Sequence, residues 1–187
     1  MIHSFEKPKL RALLALEDCT KAADLLDKCE DDTWRIYYIA CVSLLRAVGH
    51  ILSKVDAKKS QYHQQLIAKL WSDLKDNSAP NMIFWGFIEP ERNSVLKQYL
   101  FSTNGFDQDA ITYGPDLEND PSNFELYFVD TLKIPYYDPS TDVSDDDDIE
   151  TPFPGHDVRD LVRDGICFWE NKLNDLINKL DEMQESD

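Results

Sequence analysis

Between residues 34 and 55 apolar side chains recur at alternating spacings of four and three: Trp34, Tyr38, Cys41, Leu45, Val48, Leu52 and Val55. That spacing keeps one side of a 3.6-residue helix apolar. Ile36, Tyr37, Ile39, Val42, Leu44 and Ile51 fill much of the remaining circumference, so the pattern predicts a helix buried at the centre of the fold rather than one on its surface. Glu30-Asp31-Asp32-Thr33 stands just before it and places acidic groups and a capping hydroxyl at the positive end of that helix.

Leu10, Leu13 and Leu14, then Leu25, Leu26 and Cys29, predict an earlier amphipathic helix over about 8–29 whose apolar face drifts around its middle. Tyr62, Leu66, Ile67, Leu70, Trp71 and Leu74 predict another, stopped by Asn77-Ser78-Ala79-Pro80. A fourth segment runs from Met82 to about Phe101; Pro90 inside it either kinks it or opens its second part as a first-turn proline, so a bend is expected near Glu89. From Asn104 to Gly155 helical periodicity gives way to turn signals and six of the nine prolines. Phe124, Leu126 and Phe128 alternate there with Glu125 and Tyr127, and Ile111-Thr112-Tyr113 offers a short partner, which predicts a small hairpin. A last helix is expected from Asp157 to about Met183, with Val158, Leu161, Val162, Ile166, Trp169, Leu173, Leu176, Ile177 and Leu180 on one side. The expected fold is all-α: one domain over 1–187, an antiparallel bundle of about five helices, interrupted at 105–153 by an acidic insertion with a short β-hairpin.

Composition agrees with a folded protein of this size: 187 residues, 42% of them apolar and 29% charged. By inspection no apolar run approaches the roughly 20 residues that cross a bilayer, and the start lacks the apolar segment of a secretory signal, so a soluble cytoplasmic protein without a membrane partner is expected. The formal net charge of −17 disfavours sequence-independent binding to nucleic acid, but it is unevenly spread. Residues 1–104 sum to +1 and residues 105–187 to −18, so a local cationic site is excluded only from the later part. The Asp145–Asp148 run does not fit a calcium loop: counted from Asp138, position 6 is Val143 and position 12 is Ile149. It reads as a solvated acidic loop, or as a surface for a basic partner.

Cys19, Cys29, Cys41 and Cys167 fall in the predicted helices at no spacing that suggests a metal knuckle or redox pair, and buried reduced thiols are expected. Neither a phosphate-cradling glycine loop nor a zinc-protease His-Glu-x-x-His occurs, which removes most enzyme superfamilies, and no cofactor or metal is expected. His3, His63 and His156 read as ordinary surface residues. Arg46 and His50 stand one turn apart on the most apolar helix. Either they are core polar residues satisfied by partners, with Glu89 or Glu91 able to pair with the charge, or they line a cleft.

Residues 88–99 read Ile-Glu-Pro-Glu-Arg-Asn-Ser-Val-Leu-Lys-Gln-Tyr. Arg92-Asn93, followed by Lys97 and then Tyr99, resembles the R-x4-H-x-Y signature of HEPN-domain proteins, especially the toxins paired with minimal nucleotidyltransferase antitoxins. Lys97 departs from the pattern, which has histidine there, and the 105–153 insertion has no counterpart in the core family pattern. The resemblance implies a homodimer whose motif helices meet across a cleft, in a toxin–antitoxin or antiviral defence system. It also implies metal-independent RNA cleavage through the RNA's own 2′-hydroxyl, and Tyr99 as a target for nucleotide transfer by a partner enzyme.

Helix geometry places Lys97 about 140° from Arg92 at 100° per residue, so a single helix does not bring both onto one phosphate. A lysine of ordinary pKa, about 10.4, is protonated at neutral pH and does not accept the 2′-hydroxyl proton, so Lys97 argues for weak or lost activity. His50 is the nearby candidate for the missing base. Two readings stay open: an RNA-cleaving protein using Arg92, Asn93, Lys97 and His50, supported by Arg46, Glu89 and Glu91, or a non-catalytic interaction protein whose acidic insertion binds a basic partner. The ordinary alternative for Arg92 is an ion pair with Glu89, three residues before it.

Overall fold

The computed structural model describes residues 9–29, 31–76, 79–103, 153 and 156–184. Five α-helices carry these residues: α1 (Ala12–Leu26), α2 (Trp34–Lys54), α3 (Gln61–Asp76), α4 (Glu89–Gln98) and α5 (Val158–Gln184). The fold is all-α among the described residues; the expected hairpin, the Asp145–Asp148 run and nearly all of the 105–153 insertion lie outside them.

α5 follows its sequence pattern closely. Val158, Leu161, Val162, Ile166, Trp169, Leu173, Leu176 and Leu180 are buried and Ile177 partly so. α1 does not: Leu14 and Leu25 face solvent, and the buried side is made of Ala12, Ala15, Leu16, Cys19, Ala22, Ala23 and Leu26. Small side chains on that side let α1 lie close against α2.

α2 buries the expected stripe from Trp34 to Leu52, while Val55 falls beyond the helix and is exposed. Its other side is not enclosed, which corrects the expectation of a central helix: Ile36 is 64% exposed. Trp34–Lys58 is also apolar and long enough by composition to cross a membrane, with a mean hydropathy of 1.5, contrary to the reading by inspection. Of its most apolar 18 residues 39% are buried, and the buried side packs on the protein's own core.

Two glycines set how closely the long helices meet. A Cβ on Gly49 would lie 3.0 Å from Trp169 Cη2 and 3.1 Å from Trp71 Cη2, and one on Gly165 would lie 2.9 Å from Leu45 Cδ1. Trp71, Phe84, Phe168 and Trp169 interlock above this crossing, mostly edge to face, as at the 5.7 Å Trp71–Phe84 and Phe84–Trp169 contacts.

The helix starts are satisfied in ways the local sequence does not announce. α1 has no acid in its first turn and no side-chain cap of its own. Asp56, wholly buried in a short 3₁₀ turn after α2, accepts hydrogen bonds from the backbone N–H groups of Arg11 at 2.8 Å and Ala12 at 3.0 Å. Lys59 pairs with the same carboxylate at 2.9 Å and donates to the Lys9 carbonyl at 2.6 Å, closing the clamp. At α2 the Thr33 hydroxyl does not cap; it donates to Asp31, whose carboxylate also accepts from the Thr33 N–H at 2.9 Å.

The expected bend before Pro90 is a π-helical turn, Phe84–Ile88, that runs directly into α4. Proline has no N–H to donate and its ring clashes with the carbonyl four residues back, and a wider turn accommodates both. The turn carries Phe84, Phe87 and Ile88 into the core, and the Trp85 indole N–H donates to the Leu74 carbonyl at 2.8 Å. Much of this apolar segment is therefore taken up by the chain's own core.

Candidate functional site: the polar face of α4

α4 is short and carries only two buried side chains, Glu91 and Val95. Its other groups follow from where the π turn delivers its first residue. Glu89 emerges toward α2 and pairs with Arg46, both side chains less than a third exposed. The Arg46 guanidinium also lies 5.9 Å from the Phe84 ring, so one cation joins the turn and the helix that follows. Glu89 Oε1 in turn accepts from Asn93 Nδ2 at 3.4 Å, and Asn93 Oδ1 accepts from Arg92 Nη1 at 2.9 Å. A chain of polar contacts thus runs from Arg46 through Glu89 and Asn93 to Arg92.

Several expectations are decided here. Arg46 takes Glu89 as its partner rather than Glu91. Glu89 is committed to Arg46 and Asn93, and Arg92 bonds to Asn93, its immediate neighbour, in place of an ion pair with Glu89. Arg92 and Asn93 are partly buried; Lys97 and His50 are exposed. Among the described residues no hydrogen bond or ion pair joins His50 or Lys97 to Arg92.

Tyr99 lies just past the end of α4. Its φ of 56° puts it in the left-handed region at the helix end, its N–H returns to the Val95 carbonyl at 3.0 Å, and its side chain is 67% exposed. The ring leans edge-on against Phe101 at 5.2 Å. Phe101 then packs on Trp34 at 5.8 Å and Tyr38 at 6.4 Å, fixing the end of α4 to the start of α2.

Glu91 has a structural partner that the sequence did not suggest. It is buried, and it accepts the Ser102 N–H at 3.2 Å and the Ser102 hydroxyl. Burial pushes its carboxyl above the ordinary carboxylate range, and the bonds from Ser102 offset part of that. The signal available beforehand was weak: an acid two residues after Glu89, on the side of α4 shared with Val95.

The remaining titratable groups lie apart from this face. His63 accepts from or donates to Ser60 at 2.8 Å, and burial together with the nearby Lys59 lowers its pKa. Cys19, Cys29 and Cys41 are buried free thiols, as expected, whereas Cys167 is exposed. The neighbouring Cys19 thiol and burial both push Cys41 upward, leaving it protonated and unreactive. Among the described residues no cluster of three or more His, Cys, Asp or Glu side chains is placed to hold a metal ion.

No family model matches the chain, and no curated protein or solved structure matches it.

Proposed function

We propose that the chain is a HEPN-like cytoplasmic component of a toxin–antitoxin or antiviral defence pair, acting on RNA as a homodimer in which the basic groups of α4 line a cleft. The reading includes an antiparallel bundle of its five helices and an acidic, hairpin-bearing insertion over 105–153. The observation that supports it is the Arg46–Glu89–Asn93–Arg92 relay. It orients a guanidinium while engaging one of its five donors, and a pre-oriented guanidinium is suited to the charge that develops on a phosphate during transesterification.

In this reading Arg92 and Asn93 bind the phosphate, Lys97 adds charge, and His50 is the candidate base. Tyr99 is the group offered to a nucleotidyltransferase partner, and its exposure favours that role. The second reading, a non-catalytic protein whose acidic insertion binds a basic partner, is favoured by a different observation: both Lys97 and His50 are exposed, and among the described residues no hydrogen bond joins either to Arg92.

A cleavage assay on single-stranded RNA with purified protein separates them. Weak cleavage lost in Arg92→Ala and in His50→Ala supports an enzyme with a relocated base. Cleavage gained only in Lys97→His, with a rise around neutral pH and loss on adding Arg92→Ala, supports a decayed nuclease. No cleavage by either, with helicity intact by circular dichroism, sinks the nuclease reading and leaves the interaction protein. Co-expression with the adjacent reading frame, followed by intact mass measurement, tests for an added adenylyl group on Tyr99.

A further inference from the structure

α2 has an outward side that no described element covers. Ile36 is the one exposed large apolar residue of the helix; Ile39, Ala40, Leu44 and Ile51 beside it pack in part on the core and stay partly open to solvent, as does Ala47. Ile36, Ala40, Ala47 and Ile51 fall four, seven and four residues apart, which keeps them near one line along the helix. This narrow apolar line, with Ser43, His50 and Lys54 on the same side of the helix, suits contact with another helix.

We propose that the partner is a second copy of this chain, docked antiparallel along α2. The proposal rests on the homodimer in the reading above and assigns its contact to α2, beside the polar face of α4. Two features point to a second copy running in the opposite direction. The line reads nearly the same from either end about a point between Ser43 and Leu44: Ala40 comes opposite Ala47 of the second copy and Ile36 opposite Ile51, as an isologous two-fold contact requires. The ends are also complementary in charge. Exposed Asp31 and Asp32 precede the helix and exposed Lys54 and Lys58 end it, so antiparallel docking sets acid against base at both ends and aligns the helix dipoles favourably. Arg35 is turned onto the Trp34 ring at 5.7 Å rather than along the seam.

The test uses the full chain with exposed Cys167 replaced by serine, so that the remaining native thiols are buried. Ser43→Cys lies next to the two-fold and is expected to form an inter-chain disulfide when diamide oxidises the two thiols. Lys54→Cys is expected not to, because antiparallel helices rising 1.5 Å per residue hold the two copies of residue 54 roughly 30 Å apart. Light scattering is expected to give about twice 21.7 kDa for the native chain and a single 21.7 kDa particle for Ala47→Glu with unchanged helicity. A monomeric native chain overturns both this seam and the homodimer. A dimer that survives Ala47→Glu and is not linked through Ser43→Cys overturns the seam alone. Linkage through Lys54→Cys instead overturns the antiparallel arrangement, and binding of phosphatidylglycerol vesicles that is lost in Ala47→Glu assigns the face to a membrane and overturns the proposal.

Discussion

Arg46 on α2 is paired with Glu89 at the first position of α4, and this pair is where the apolar core meets the polar face of the molecule. Each partner is less than a third exposed, so removing one leaves the other desolvated with its charge unanswered. Arg46→Met alone is therefore expected to cost about 1–3 kcal/mol. The double variant Arg46→Met, Glu89→Gln is expected to cost less than the two single changes added together. Urea denaturation of the four proteins in this cycle measures the coupling; additive costs would show that the pair contributes nothing of its own.

Asp56 is expected to be the most sensitive acid in the described structure. It accepts two backbone N–H groups at the start of α1 and the Lys59 ammonium from a wholly buried position. Asp56→Ala removes a helix cap and leaves buried donors unsatisfied, a loss of about 2–4 kcal/mol. Asp56→Asn keeps one acceptor oxygen and is expected to fall between the two in denaturant midpoint.

Gly49→Ala tests close packing against helix propensity. Alanine favours a helix interior by about 1 kcal/mol over glycine. Here its methyl would meet Trp169 at 3.0 Å and Trp71 at 3.1 Å, two large rings with little room to yield. Overpacking of this kind costs about 1–3 kcal/mol, so the net change is expected to be destabilising despite the better helix former. A rise in Tm would show that the two rings relax freely.

Glu91 links stability to pH. Its folded pKa lies above the unfolded value of 4.5, so the folded state holds the proton more tightly. The stability this contributes is fully present below the unfolded value and is lost as pH rises through the raised folded value. Glu91→Gln retains an acceptor for Ser102 without a buried charge. The Tm difference between Glu91→Gln and the native chain is expected to be near zero or negative at pH 4 and to move in favour of the variant as pH rises to 8. A difference that does not change with pH would remove Glu91 as the source.

Replacing exposed Cys167 with serine is expected to leave Tm unchanged and to abolish labelling by iodoacetamide under native conditions. The buried positions of Cys19, Cys29 and Cys41 protect them. Mass spectrometry of the labelled chain reads this directly.

The sequence by itself determined the helices, because a period of 3.6 is a local property and each long helix buries one side. The stripes of α2 and α5 needed no knowledge of a partner, and Pro90 announced the irregular turn before α4. It also brought Arg92, Asn93, Lys97 and Tyr99 into view, since they share one short segment. What only the tertiary structure decided were relations across distance: that Asp56 caps a helix 44 residues earlier, that Glu89 rather than Glu91 answers Arg46, and that Glu91 turns inward to Ser102. Which side of α1 is buried belongs to the same group, because alanines give no strong periodic signal and their value lies in the closeness they allow to α2. Periodicity is written along the chain, but a buried charge is satisfied by whichever group the fold carries to it, and that choice is made in three dimensions.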